Sequence, residues 1–272
     1  MLNDFKFNLL DNMQMKLSKL FRTLILFVLI LLIGGCATTK NPDPLETMNR
    51  GIYKFNTVVD DAVLKPVAKG YKAVAPSFVV KGINNFFNNL RDVITVINDL
   101  LQFKFSHSLN DASRVGINTT IGILGFVDVH SMSGGERRKE DFGQTLGHWG
   151  IGSGAYIVLP FLGPSTLRDG FGLLTDTLYF DPISYISNVR TRNQVRLLQF
   201  TDARTELLNA SDILDTASLD PYAFQRDAYL QYRQSLVEDA TTDGISIDYS
   251  DENLLSDGFK PYSDDEIVSL AN

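Results

Sequence analysis

DFGQTLGHWGIGSGAYIVLPFLGPSTLRD, residues 141–169, is the stretch on which the reading of this 272-residue chain turns. Gly143, Gly147, Gly150, Gly152, Gly154 and Gly163 alternate there with Trp149, Tyr156, Ile157, Val158, Leu159, Phe161 and Leu162, and Pro160 and Pro164 interrupt the run. A glycine inside a helix costs about 1 kcal/mol relative to alanine and a proline about 3, so no regular helix is expected to run through the stretch. Its apolar part, residues 155–162, is far short of the ~20 residues that span a bilayer as a helix. Two readings remain at this point. It is a Gly-rich turn region in a soluble core, or it is non-helical backbone at membrane depth, which is tolerable only where protein or an aqueous cavity satisfies it.

Immediately upstream, residues 121–142 read as a hairpin with apolar arms and a charged apex. Ser133-Gly134-Gly135 turns the chain, and Glu136-Arg137-Arg138-Lys139-Glu140-Asp141 forms the charged tip or return. Before it, a long amphipathic helix is predicted over residues 82–105, with Ile83, Phe86, Phe87, Leu90, Ile94, Ile97, Leu100 and Leu101 as its apolar stripe. Asn84, Asn85, Asn88, Arg91, Asp92 and Asn98 line the other side. Asparagine is a mediocre helix former because its side chain competes for backbone hydrogen bonds, so an Asn- and Phe-rich helix points to a boundary between apolar and polar surroundings. A shorter helix is predicted over residues 108–118.

Further out, Leu45, Met48, Ile52, Phe55, Val59 and Ala62 recur at helical spacing behind Asp43, an expected N-cap, with Pro44 at the first helical position. Pro66 and Pro76 are expected to bracket a separate short segment around Tyr71. On the other flank, helices are predicted over residues 190–210 and from Asp220-Pro221 onward, the latter carrying Tyr222, Tyr229 and Tyr232.

At the N-terminus, Lys16, Lys19 and Arg22 precede the apolar run 24–33 and the box Ile33-Gly34-Gly35-Cys36. That is a lipoprotein-type signal, with residues 1–35 removed and Cys36 acylated. Met15 is a candidate start, since Asp4 and Asp11 are foreign to a signal n-region. Cys36 is the only cysteine, which excludes an internal disulfide. Several acyl chains make a stable anchor where one would be marginal. Ala37 after the cysteine favours the outer membrane of a diderm bacterium and a protein facing the periplasm. The tether is residues 36–42, the body residues 43–236 and the tail residues 237–272. Acidic and basic residues balance from Cys36 to Leu236, whereas the tail holds ten acidic residues against Lys260 alone and reads as disordered. A nucleic-acid partner is not expected, because counterion release needs clustered Lys and Arg.

No catalytic constellation can be assembled. His107, His130 and His148 match no metal-ligand spacing, so neither metal nor cofactor is expected. Ser153 lacks the flanking glycines of a nucleophile elbow, since Ile151 and Ala155 occupy those positions. Gly150, Gly152 and Ala155 fit only the loosest dinucleotide pattern, with no strand before them and Pro160 behind.

Taken together, several motifs resemble the MlaA (VacJ) lipoprotein family. They are Asp43-Pro44-Leu45-Glu46, Asn49-Arg50, Phe55-Asn56, Pro66-Val67-Ala68, the run 85–90 (NFFNNL), Leu101-Gln102, Asn118-Thr119, the run 141–147 (DFGQTLG), the run 149–154 (WGIGSG), Leu159-Pro160, Leu162-Gly163-Pro164 and Leu167-Arg168-Asp169. The resemblance covers about residues 43–232 and leaves out the acidic tail. It implies an all-α fold, a ring of amphipathic helices around a central amphipathic channel in the inner leaflet of the outer membrane. It also implies association with a trimeric porin, transfer of mislocalised phospholipid to a soluble periplasmic carrier, and no enzymatic activity. A gating hairpin would correspond to residues 121–142, including Ile121, Gly122, Gly125, Gly134, Gly135 and Phe142. Channel-lining candidates are Asn84, Asn88, Asn118 and Thr119. The competing expectations are a phospholipid hydrolase using Ser153 or His148, and a scaffold that only tethers a porin.

Overall fold

A computed structural model describes residues 43–208 and 220–239; the signal segment, Cys36 and the tail beyond residue 239 lie outside the described residues. Helix α1 (Glu46–Val59) passes through a π-helical turn (Asp60–Leu64) into α2 (Lys65–Val74). Pro66 therefore does not open a separate segment. Proline removes one helical hydrogen bond and clashes with the carbonyl four residues back, and the wider π turn just ahead of it lets the helix continue.

Helix α3 (Ser77–Leu101) starts after Pro76 and ends where Phe103 takes a positive φ of 61°. Its limits are thus shifted toward the N-terminus from the predicted residues 82–105. Helix α4 (Phe105–Thr120) packs antiparallel to it, and α5 (Val129–Met132) is a single turn inside the 121–142 segment. Then follow α6 (Phe142–His148), the antiparallel strands β1 (Tyr156–Leu159) and β2 (Gly163–Thr166), and α7 (Leu167–Thr175). Beyond a π turn (Asp176–Phe180) and a 3-10 turn (Pro182–Tyr185) come α8 (Val189–Glu206) and α9 (Pro221–Val237).

The fold is mostly helical, as expected, with a two-stranded sheet that the sequence reading lacks. Residues 141–169 hold a short helix, a loop and this hairpin. Strand register pairs Tyr156 with Thr166 and Leu159 with Gly163. Phe161 and Gly163 supply the positive φ values, 65° and 86°, that let the chain reverse behind Pro160. A lone hairpin is marginal in water, and this one is completed by α1. Asn49 donates to the Tyr156 carbonyl at 3.0 Å and accepts from Val158 N at 2.9 Å. Asn56 does the same with Leu159 O at 2.9 Å and Phe161 N at 2.8 Å. Seven helical residues rise about 10.5 Å, close to the roughly 10 Å of three strand residues, so two amides of one helix face act as a third strand on the edge of β1.

Asp43 is buried and does not cap α1. Its carboxylate instead accepts from Asn49 Nδ2 at 2.8 Å and from the Tyr222 hydroxyl. Asp220 does cap α9, accepting from Ala223 N at 3.2 Å, and binds both Nη atoms of Arg50 at 3.2 and 2.7 Å. A small apolar cluster of Tyr156, Val158 and Tyr222 sits there, with Ile52, Tyr53, Tyr229 and Leu230 against it.

Elsewhere the usual burial is inverted. Polar and charged side chains outnumber apolar ones among the buried residues, and large apolar side chains are exposed on every long helix. On α3 the buried positions are Gly82, Phe87, Asn89, Asp92, Thr95, Asn98 and Asp99, while Phe78 and Leu100 are exposed. Among the described residues no helix is long and apolar enough to cross a membrane.

Candidate functional site

The polar interior is assembled from the inward faces of α3, α4 and α6 with the segment that joins α5 to α6. Asn98, fully buried, donates to Asp176 Oδ1 at 3.1 Å and accepts from Thr145 Oγ1 at 2.8 Å. Gln102 donates to that same Thr145 hydroxyl at 3.2 Å and to Glu140 at 2.9 Å, and Lys104 reaches the other Glu140 oxygen at 3.2 Å. Phe142 N donates to Asp176 Oδ2 at 2.9 Å. Such a chain satisfies buried groups in series, which a low-dielectric interior requires.

Residues 136–141 were expected as the charged tip of the hairpin or as its return, and the structure makes them the return, lying against α3 and α4. Arg137 bonds Asp92 at 2.8 Å, Arg138 lies 3.7 Å from Asp111, and Glu140 is buried. Asp141 caps α6 by accepting from Gln144 N at 2.9 Å and pairs with Arg233 Nη1 at 2.6 Å. The acidic faces of α3 and α4 need cations, and the segment supplies them by lying against those faces instead of projecting into solvent.

At the base of the 121–142 segment, Arg114 is fully buried and donates from Nη1 to Asp128 at 3.2 Å and Ser131 Oγ at 2.9 Å, and from Nη2 to Gly135 O at 3.0 Å. Asn118 donates to Asp128 Oδ1 at 2.8 Å and accepts from His130 N at 3.0 Å. The tip is apolar and open, with Ile121, Ile123, Leu124 and Val127 exposed. Ile123 and Leu124 hold positive φ of 54° and 57°, rare for side chains of this kind and for the β-branched Ile123 above all. Gly125, at φ 87°, sits so close to Asn89 that a Cβ would fall 2.6 Å from the Asn89 Cβ. Gly122 is equally confined, 2.1 Å from Val127 O by the same measure, and at Gly135 a Cβ would meet the His130 ring. Gly134, at φ 84°, faces open space.

The four lining candidates are not brought to one place. Asn88 donates to Asn84 at 2.6 Å, and Asn84 to Asp202 of α8 at 3.2 Å, whereas Thr119 receives Asn89 at 2.9 Å and Asn118 anchors the hairpin base. The groups that sequence reading missed are the buried carboxylates. Asp99 is fully buried beside Asp111, and burial, then Glu140 and Asp111, push its carboxyl up to about 7. Burial pushes Asp176 up to about 6 against the lowering by Phe142 N and Asn98. Asp202 likewise rises to about 6, mainly through burial.

Ser153 and His148 make no side-chain hydrogen bond to one another or to a carboxylate among the described residues. Nor does any group of described His, Cys, Asp and Glu residues fit a metal ion. What the arrangement can do is present two surfaces at once, apolar outside and polar within.

Comparison with known proteins bears on this. The profile of the MlaA lipoprotein family matches residues 41–236. Over 209 residues the chain is 34% identical to the intermembrane phospholipid transport system lipoprotein MlaA of Escherichia coli (strain K12), covering 74% of this chain and 82% of that protein. The protein of the same name from Haemophilus influenzae is 34% identical over 217 residues, 76% of this chain and 86% of its own length. An uncharacterised protein of Rickettsia bellii is 34% identical over 210 residues, 76% of this chain and 80% of its own length. A solved structure described as the structural basis for maintenance of bacterial outer membrane lipid asymmetry superimposes with a TM-score of 0.64 at 34% identity, covering 72% of this chain and 98% of that one. With the family profile spanning the whole helical body and relatives at this identity along most of their length, the chain belongs to the MlaA lipoprotein family.

Proposed function

We propose that this protein is an outer-membrane lipoprotein that takes mislocalised phospholipid from the outer leaflet through an amphipathic channel and passes it to a soluble periplasmic carrier, in association with a trimeric porin. The observation that carries the reading is the inverted burial. Polar side chains fill the interior while Phe103, Phe105, Leu109, Phe171 and Leu178 are exposed. Exposed apolar surface of this extent marks an interaction site, and acyl chains of one leaflet are the partner that can cover it on many sides at once. A phospholipid crossing hydrocarbon unaided must desolvate a charged headgroup at high cost. A polar interior within an apolar body removes most of that cost, and no covalent step is needed.

Residues 121–142 are the gate in this scheme, hinged where Arg114 and Asn118 hold Asp128. Cys36, acylated, holds the body at the periplasmic face. Of the lining candidates, Asn84 and Asn88 contribute to the channel's polar wall, while Asn118 serves the hinge. In a diderm host lacking its own protein of this kind, expression of this chain is expected to lower the phospholipid that an impermeant phospholipase can cleave at the cell surface. Unchanged surface phospholipid at normal protein abundance would sink the proposal.

A further inference from the structure

One part of the interior gathers cations without giving each a carboxylate. Asn84, Asn88, Arg91, Thr95 and Asn98 follow at spacings of four, three, four and three, so they form one stripe of α3. The return segment lies along it. Arg137 donates from Nε and Nη2 to Asp92 Oδ1 at 3.1 and 2.8 Å, and Glu140 N donates to Thr95 Oγ1 at 3.3 Å. Between these two attachments lies Lys139, so Arg91, Arg137 and Lys139 share one neighbourhood.

Their partners differ. Arg137 has Asp92, whereas the side chains of Arg91 and Lys139 form no hydrogen bond or ion pair with any described residue. Lys139 is exposed and Arg91 half-buried, yet surrounding protein desolvates both. The fold thus leaves two of three neighbouring cations without an ion pair among the described residues. Burial lowers the pKa of each, and Arg137 lowers both further, with Arg91 adding to the effect on Lys139. Across from them, α8 contributes Asp202 and Glu206. Asp202 is held by Asn84 and raised to about 6, and Glu206 is exposed, so neither closes an ion pair with Arg91. Asn84 donates its amide to Asp202, and Asn88 donates its own to Asn84 Oδ1. The one cation on this stripe, Arg91, has a side chain without a partner among the described residues.

We propose that Arg91, Arg137 and Lys139 form an anion subsite inside the conduit that holds the phosphodiester of a glycerophospholipid in passage. A guanidinium offers a planar fork and an ammonium a compact charge, the pair of geometries that grips a phosphate oxygen cluster from two sides. The inference rests on the phospholipid-conduit reading above and adds what that conduit recognises, namely the phosphate common to the headgroups.

The test uses the full-length protein in detergent micelles and two fluorescent probes with identical acyl chains, phosphatidylglycerol and diacylglycerol. Arg91→Gln and Lys139→Gln are each expected to weaken phosphatidylglycerol binding about tenfold, the effect of losing one charge-assisted hydrogen bond. Diacylglycerol binding stays within about twofold, and Lys139→Arg, which keeps the charge but not the compact ammonium, falls between wild type and Lys139→Gln. Millimolar inorganic phosphate is expected not to displace the lipid. Wild-type phosphatidylglycerol affinity in both glutamine variants overturns the subsite and leaves the conduit standing. Displacement by inorganic phosphate at comparable concentration reassigns the subsite to the free ion and overturns the lipid assignment. Failure of the wild type to bind either lipid overturns the conduit and the subsite with it. Should Arg91→Gln lose its helical circular-dichroism signal, the Lys139 variants decide alone, because the Lys139 side chain is exposed and bonded to no described residue.

Discussion

Arg114 is a single side chain on which a whole segment hangs. Fully buried, it reaches Asp128, Ser131 and the backbone of Gly135, and removing it leaves the Asp128 carboxylate without its cation. Removing one partner of a buried pair costs about 3–5 kcal/mol, so Arg114→Ala is expected to lower unfolding free energy by about that amount in urea titrations of the detergent-solubilised protein. Arg114→Lys is expected to recover little of it, since one ammonium cannot serve both the carboxylate and the backbone carbonyl. Nothing in the sequence marks Arg114, because its partners lie 14 to 22 residues onward and no local spacing encodes them. Asn118 was legible as part of the Asn118-Thr119 motif and as a lining candidate, but its task in the fold is to hold Asp128 and His130. A raised carboxyl gives a second expectation. Asp176 and Asp202, at about 6, keep protons in the folded state that the unfolded chain has already lost above about pH 4. The folded state therefore binds more protons across that window, and stability falls as pH rises from about 4 to about 6, by at most about 1.4 kcal/mol per unit for each group. Melting temperatures at pH 4.5 and 7 check this, and Asp176→Asn with Asp202→Asn is expected to flatten the slope.

Close approach between elements is the next level of control. A Cβ at Gly172 of α7 would lie 2.3 Å from Gly143 N and 2.7 Å from its Cα, backbone that cannot swing aside, whereas a Cβ at Gly70 of α2 meets nothing within 4 Å. Gly172→Ala is expected to cost about 1–3 kcal/mol through overpacking, and Gly70→Ala to gain about 0.5–1 kcal/mol from helix propensity; thermal unfolding of the two variants separates the effects by sign. How much of this was readable varies by element. Helix α9 announces itself through Asp220-Pro221, and α6 has its own cap signal in Asp141 with Gln144 three residues on, hidden among glycines whose purpose is to let α7 come near. The β1–β2 hairpin was not readable, because its third hydrogen-bonding partner is the pair Asn49 and Asn56, more than a hundred residues away. The stripe on α3 was read with the correct periodicity. Periodicity does not say which side faces in, and here the asparagine and aspartate side does.

At the scale of the molecule, that reversal separates two roles that a soluble protein combines. Internal order comes from hydrogen bonds and ion pairs, while apolar surface is left to the surroundings. Residues 43–239 are thus expected to hold to lipid without the acyl anchor. Cys36→Ala protein, diluted out of detergent beside liposomes, should float with them on a density gradient and stay bound in 1 M salt, which screens charge on a scale of about 3 Å but not apolar contact. Recovery in the soluble, monodisperse fraction would contradict this. Calorimetry should register the same architecture. The heat capacity gained on unfolding rises with newly wetted apolar area and falls with newly wetted polar area, giving about 12–15 cal/mol/K per residue in ordinary domains. A protein whose concealed surface is mainly polar has little apolar area left to uncover, so its increment should fall well below that range. Its stability curve would then be broad and shallow, changing little with temperature and showing no cold denaturation within the liquid range of water.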